Sequence, residues 1–324
     1  MMDGDGARTP RRRRPWAALA LSSAFAFIPA WVAAVETVEE VQVRGVRPGP
    51  RLWRMERDGA QLWILGTVTP LPVGVTWRSA EVETLLSRTD VVLAAKPLEI
   101  TMPRAAWIML TQRSLVMNRG GRRLRDLLPA DLYARFAALR RATLGDSDKW
   151  EHDRPLIAGM LLEDAALKAH GLSTRLDVSL TVRRLAHDHH VRIREVSIPD
   201  GPDLLRALQT VPPEAENRCL DAMLHTVEDG IPALRERALA WSSGDVERIR
   251  GLPEPASAFC ADLLTAEPRA GAPLAQIRGR WLEALETQLG QRGTALAVVD
   301  LDLLLGGGGL LESLRAGGID IDGP

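Results

Sequence analysis

LWILGTVTPLPVG, residues 62–74, carries an apolar run into Gly66, then two threonines, Thr67 and Thr69, before Pro70. Apolar residues at nearly every position predict a strand buried on both faces, as in a parallel sheet covered by helices. Just upstream, LWRMERDGAQ places another apolar run before Arg57-Asp58-Gly59, so the two runs read as a hairpin. A strand that ends in glycine at the edge of an α/β sheet delivers the following side chains where such folds keep their chemistry. Gly66, Thr67 and Thr69 are therefore candidate site residues. Trp77, after the turn around Gly74, is a candidate cleft wall.

Working outward, WRSAEVETLLSRTD (77–90) has apolar residues at helical spacing, and DVVLAAKP (90–97) is a short apolar strand ended by proline. Residues 101–185 read as mainly helical, with helices at 103–117, 128–145 and 154–171. The last two carry proline at the start and glycine at the end. A helix then leads into VRIREVSIP (191–199), a strand, and residues 202–250 are again helical. The closing part reads as helix, strand TALAVVDLDLLL, a Gly-rich turn at Gly306–Gly309, helix LLESLRAGG and a terminal β segment. Alternation of strands and helices predicts an α/β fold, a mixed β-sheet flanked by helices with a helical insertion. One domain over 51–324 follows, after a leader at 35–50. Trp63 and Trp107 fall in runs that read as core.

The N-terminus has its own pattern. Arg11–Arg14 precede PWAALALSSAFAFIPAWVAA, an uncharged stretch ending in small residues at Ala34. That layout predicts a signal peptide over 1–34, with a retained membrane anchor as the alternative. It places the mature chain in the periplasm or outside the cell, with no membrane span of its own. The full chain has 324 residues, 46% hydrophobic and 26% charged, and a net charge of −1. Removing 1–34 takes away five arginines and two aspartates, so the balance turns more acidic and nucleic acid is excluded as a partner. In an oxidising compartment the two cysteines, Cys219 and Cys260, are expected to pair, with two separate buried thiols as the alternative.

The order of LWRMERDGAQLWILGTVTPLP, WRSAEVETLLSRTDVVLA and LAVVDLDLLLGGGGLLESLRAGGIDI resembles the TraB/GumN family, which includes Tiki-like metalloproteases. The resemblance runs from about residue 51 to 322. It implies a Gly-Thr-x-His at the first strand end, a glutamate closing the next strand, and a Gly-x-x-His at the last. Two imidazoles and a carboxylate at strand ends can hold a divalent metal that activates water. Here the matching positions are Thr69, Ala94 or Ala95, and Leu303. The resemblance thus implies a relative without the family's metal site, non-catalytic and with no cofactor. It also implies a binding or accessory role toward an envelope protein or polysaccharide.

The best replacement chemistry is Asp300 and Asp302, two apart, which share a face if the strand stays extended. Together with the Thr67 or Thr69 hydroxyl they would bind a hard cation such as calcium or magnesium, or share a proton as an acid/base pair. The rival function is a metal-dependent hydrolase with a rearranged site using Asp300, Asp302 and Thr69, with a histidine brought in from elsewhere. The bland reading is solvated carboxylates at a strand end. HDHH (187–190) reads as a polar helix end, and Gly306–Gly309, lacking a following Lys-Ser or Lys-Thr, as a flexible strand-to-helix turn.

Overall fold

The two apolar runs at the centre of the sequence become the two central strands. In the computed structural model the described residues are 49–96, 107, 110, 113–199, 201–268 and 271–324. The expectations for the signal segment 1–34 and for most of the leader lie outside them. Strands β1 (Leu52–Arg57), β2 (Ala60–Thr67), β4 (Val91–Ala95), β6 (Arg192–Val196), β7 (Gly293–Asp300) and β8 (Ile321–Asp322) form a six-stranded sheet in the order β6-β4-β7-β2-β1-β8. Two further short strands, β3 (Leu71–Pro72) and β5 (Leu172–Ser173), pair with each other. β2, β7, β4 and β6 run parallel; β1 returns antiparallel to β2 through the tight turn at Asp58-Gly59, both with positive φ.

The described helices are α1 (Ala80–Leu86), α2 (Ala130–Leu144), α3 (Pro155–Ala169), α4 (Val178–Asp188), α5 (Gly201–Leu208), α6 (Pro213–His225), α7 (Ile231–Ser243), α8 (Val246–Arg250), α9 (Ala256–Thr265), α10 (Gly271–Leu289), α11 (Leu301–Leu305) and α12 (Leu310–Ala316). The mixed, helix-flanked sheet is the α/β architecture expected. Its core joins Leu62, Ile64 and Leu65 of β2, Leu296 and Val299 of β7, and Trp281 and Leu285 of α10. Each such side chain taken out of water contributes about 1.5–3 kcal/mol of transfer free energy. A second body of core lies among α2, α3, α6 and α9, away from the sheet. There Arg154, at the start of α3, pairs with buried Glu216 of α6 and also donates to the Leu208 carbonyl at 2.7 Å.

Several expectations change. The segment LDLLL is not the end of the strand: β7 stops at Asp300, whose side chain caps a new helix, α11. The glycines at 306–309 therefore join two helices, α11 and α12, instead of a strand and a helix. Trp107 is 53% exposed and is no core residue, and most of its expected helix lies outside the described residues. Gly49 and Pro50, the only described residues of the expected leader, are buried. HDHH ends α4 with all four side chains exposed.

Gly66 sits in a close contact at the centre of the sheet. A Cβ there would lie 2.6 Å from Leu301 Cδ1 and 3.0 Å from Trp53. Gly66→Ala is expected to cost about 1–3 kcal/mol through overpacking, whereas Gly279→Ala, inside α10 with nothing near its missing Cβ, is expected to be neutral or stabilising. Thermal unfolding of both variants checks the contrast; equal melting temperatures would show that the close approach at Gly66 is not a constraint.

Candidate functional site

The parallel strands end side by side, with Thr67 opposite Asp300 and Ala94 opposite Val298. β2 ends at Thr67, whose hydroxyl donates to the Val299 carbonyl at 3.3 Å and so is spent bracing the neighbouring strand. The chain then passes Val68 and Thr69 to a cis peptide at Pro70 and into β3. Pairing of β3 with β5, and a 2.8 Å bond from Val73 N to the Gly171 carbonyl, pins this segment to the end of α3.

At the end of β7, one carboxylate oxygen of Asp300 accepts from the backbone N–H of Asp302 at 2.9 Å and of Leu303 at 3.4 Å. Because Asp300 turns the chain into a helix, Asp302 lies in the first helical turn, not on the same row of an extended strand. There it meets Arg237 of α7 in a mostly buried ion pair. Beyond these groups lies a cleft of about 600 Å³ whose lining includes Thr69, Asp300, Asp302 and Leu303. Its far walls come from α9 and α10, with Asp262, Arg278 and the apolar Ile277 and Leu282; Glu254 closes one side. Arg278 approaches Asp262 at 3.9 Å.

Of the six candidate pocket residues, Thr69, Asp300 and Asp302 line this cleft together. The other three do not. Gly66 is buried beneath Leu301, Thr67 bonds within the sheet, and Trp77 packs on Trp241 with ring centroids 5.9 Å apart. Sequence reading missed Arg237, Glu254, Asp262 and Arg278, which sit on helices or their ends and are brought in only by the fold. Arg237 follows Arg235 and Glu236 in α7, so nothing in the local sequence singles it out.

The carboxylates feel one another. Asp300 opens onto the cleft but is ringed by protein, and this burial, reinforced by the Asp302 charge, pushes its pKa from 3.8 up to about 6 against the pull of two backbone N–H groups and Arg237. Burial also raises Asp302, while Arg237 draws it back. Glu254 is raised by burial first and then by Asp262 and Asp302.

A model of the TraB/PrgY/gumN family matches residues 51–322. The chain belongs to this family. No curated protein and no solved structure matches it at comparable significance. Within this TraB/PrgY/gumN member, the strand-end positions that the resemblance assigns to metal ligands hold Thr69, Ala94 or Ala95, and Leu303. A methyl or isobutyl group has no lone pair to donate, and a threonine hydroxyl is a weak neutral ligand. The residues do not fit the family's metal. Among the described residues, no three His, Cys, Asp or Glu side chains form a group able to hold a metal ion. No helix among them is long and apolar enough to cross a membrane.

The Asp300 carboxyl, with its folded-state pKa above the ordinary value, keeps its proton at pH values of about 4 to 6 where the unfolded chain has lost it. Its contribution to stability is thus full below about pH 4 and declines as pH rises through 6. Asp300→Asn retains an oxygen for the helix cap and is expected to flatten that part of a stability-against-pH curve measured by urea unfolding. An unchanged curve would contradict the burial of the Asp300 charge. Asp302→Asn is expected to lower stability by about 3 kcal/mol by stranding Arg237, and the added change Arg237→Met to restore most of it. A double variant no more stable than Asp302→Asn would show that the pair is not the source.

Proposed function

We propose that this TraB/PrgY/gumN protein is an exported, non-catalytic binding or accessory protein, whose ligand occupies the cleft at the ends of β2 and β7. The observation that carries this reading is a cleft at the strand ends where the positions that the resemblance assigns to metal ligands hold Thr69, Ala94 or Ala95, and Leu303. A site with cleft walls but with Thr69, Ala94 or Ala95, and Leu303 at the ligand positions keeps shape recognition without the means to activate water. The lining favours a ligand with hydrogen-bond donors or a cationic group to face Asp300 and Glu254, and an apolar body to lie on Ile277, Leu282 and Leu303. Export rests on the basic cluster at Arg11–Arg14 and the uncharged run after it. An envelope protein or polysaccharide is the class of partner that such a location and the family resemblance favour.

One observation favours a second reading: Thr69, Asp300 and Asp302 do share one cleft. Three oxygen-bearing side chains there would suit a hard cation and a hydrolase with a rearranged site. Metal analysis separates the two. The mature protein is equilibrated in turn with zinc, manganese, cobalt, magnesium and calcium, freed of excess, and assayed for bound metal per chain. The binding reading expects no stoichiometric metal and no difference between the native protein and Asp302→Asn. One metal per chain, lost in that variant, would overturn it in favour of the hydrolase.

A further inference from the structure

Away from the cleft floor, α6 and α9 lie against each other. Cys219 of α6 is 0% exposed and Cys260 of α9 is 6% exposed, in a core cluster with Leu156, Val211, Met223 and Leu264. Both are thiols in the structure, so the expected disulfide is not formed there. They are nonetheless neighbours: both lie in this one cluster where α6 packs on α9, and each thiol acts on the other, with Cys219 shifted down and Cys260 up. Two thiols sharing one apolar cluster between packed helices need little movement to reach disulfide geometry.

α9 has a second role. One of its faces buries Cys260, and another presents Ser257, Ala258, Ala261, Asp262 and Thr265 to the cleft. What fastens α9 to α6 also fixes a wall of the cleft.

We infer that Cys219 and Cys260 are a redox-modifiable site, oxidised to a disulfide that staples α9 and so the cleft wall to α6. This inference stands whether or not the cleft binds a ligand. The two sulfurs are shielded from attack in the folded protein, so oxidation takes place as the chain folds or when α9 opens. With a small disulfide such as oxidised glutathione as oxidant, one cysteine thiolate attacks a glutathione sulfur and expels a glutathione thiolate, leaving a mixed disulfide. The second cysteine thiolate attacks the protein-bound sulfur and expels the other glutathione. Two cysteine thiols are oxidised, one glutathione disulfide is reduced to two thiols, and the two cysteine protons pass to the departing thiolates.

The test uses the full mature chain, unfolded and refolded in a glutathione buffer or in excess dithiothreitol, then alkylated under denaturing conditions. The glutathione sample is expected to take up no label at either cysteine and the reduced sample to take up two. Closing a loop of about 40 residues limits the unfolded chain, and the oxidised form is expected to melt roughly 5–10 °C higher. Amide exchange in α9 is expected to slow with it. Full labelling of both cysteines after refolding in oxidised glutathione would overturn the proposal. Cys260→Ala supplies an independent check: its melting temperature is expected not to depend on redox state, and a persistent dependence would show that this pair is not the switch.

Discussion

The absence of a side chain at Gly66 is the constraint on which the site depends. Leu301 and Leu304 of α11, together with Trp53 of β1, occupy the space its Cβ would take. The exposed peptide is then available to α7, where Trp241 donates its indole N–H to the Gly66 carbonyl at 2.7 Å in a buried bond. One turn earlier on α7, on the same helical face, stands Arg237. Anchoring Trp241 on β2 therefore delivers Arg237 to Asp302 just past the end of β7. A contact that looks like simple packing thus sets which carboxylate of the pair is neutralised and which is left to the cleft.

That division shapes the electrostatics. Asp302 and Arg237 form a mostly buried pair in which Arg237 draws down a carboxyl pKa that burial raises, and the pair's burial is tolerable only because both members are present. Asp300, two residues back, receives backbone N–H groups but no guanidinium of its own, and it must bear the neighbouring charge. Hydrogen bonds to a carboxylate favour its charged form while burial and a like charge oppose it, and here the opposition prevails. Glu254 is subject to the same repulsion from Asp262 and Asp302. An acceptor-rich cleft whose acids repel one another gains stability from any positive or hydrogen-donating group that enters it.

Strands β2, β4 and β7 were legible because burial on both faces leaves a run of apolar residues that no surface element shows. The helices α2 and α3 were legible for a different reason, the proline and glycine at their ends. LDLLL was misread because its composition suits a strand interior equally well. What converts it to a helix is a local event, the Asp300 side chain accepting the N–H groups of Asp302 and Leu303, and capping competes with strand extension only where the sheet ends. Thr69, Asp300 and Asp302 could be placed near one cleft from strand order alone. Glu254, Asp262 and Arg278 could not, since each reaches it through helix packing over long sequence distance, and Arg237 is brought to Asp302 in the same way. Trp77 does not line this cleft, and its partner Trp241 is known only once α7 is seen to meet β2 at Gly66.

On the proposed reading, the strand ends account for a site exchanged without loss of the fold. The core is built from Leu62, Ile64, Leu65 and the run Ala295–Val299, all lying within the sheet. The positions that the resemblance assigns to ligands are packed differently: Thr69 is exposed, Ala94 is buried in the core, Ala95 is half-buried, and Leu303 packs partly against the core from α11. Replacing a polar ligand there by an apolar residue removes a charge that would need a partner and leaves no cavity in the sheet, so little stability opposes it. Leu303 goes further, lending apolar surface both to the core and to the cleft wall. Substitutions of this kind keep the scaffold and its concavity while changing what the concavity can recognise, and for that reason the activity must be read from the lining and not from the fold.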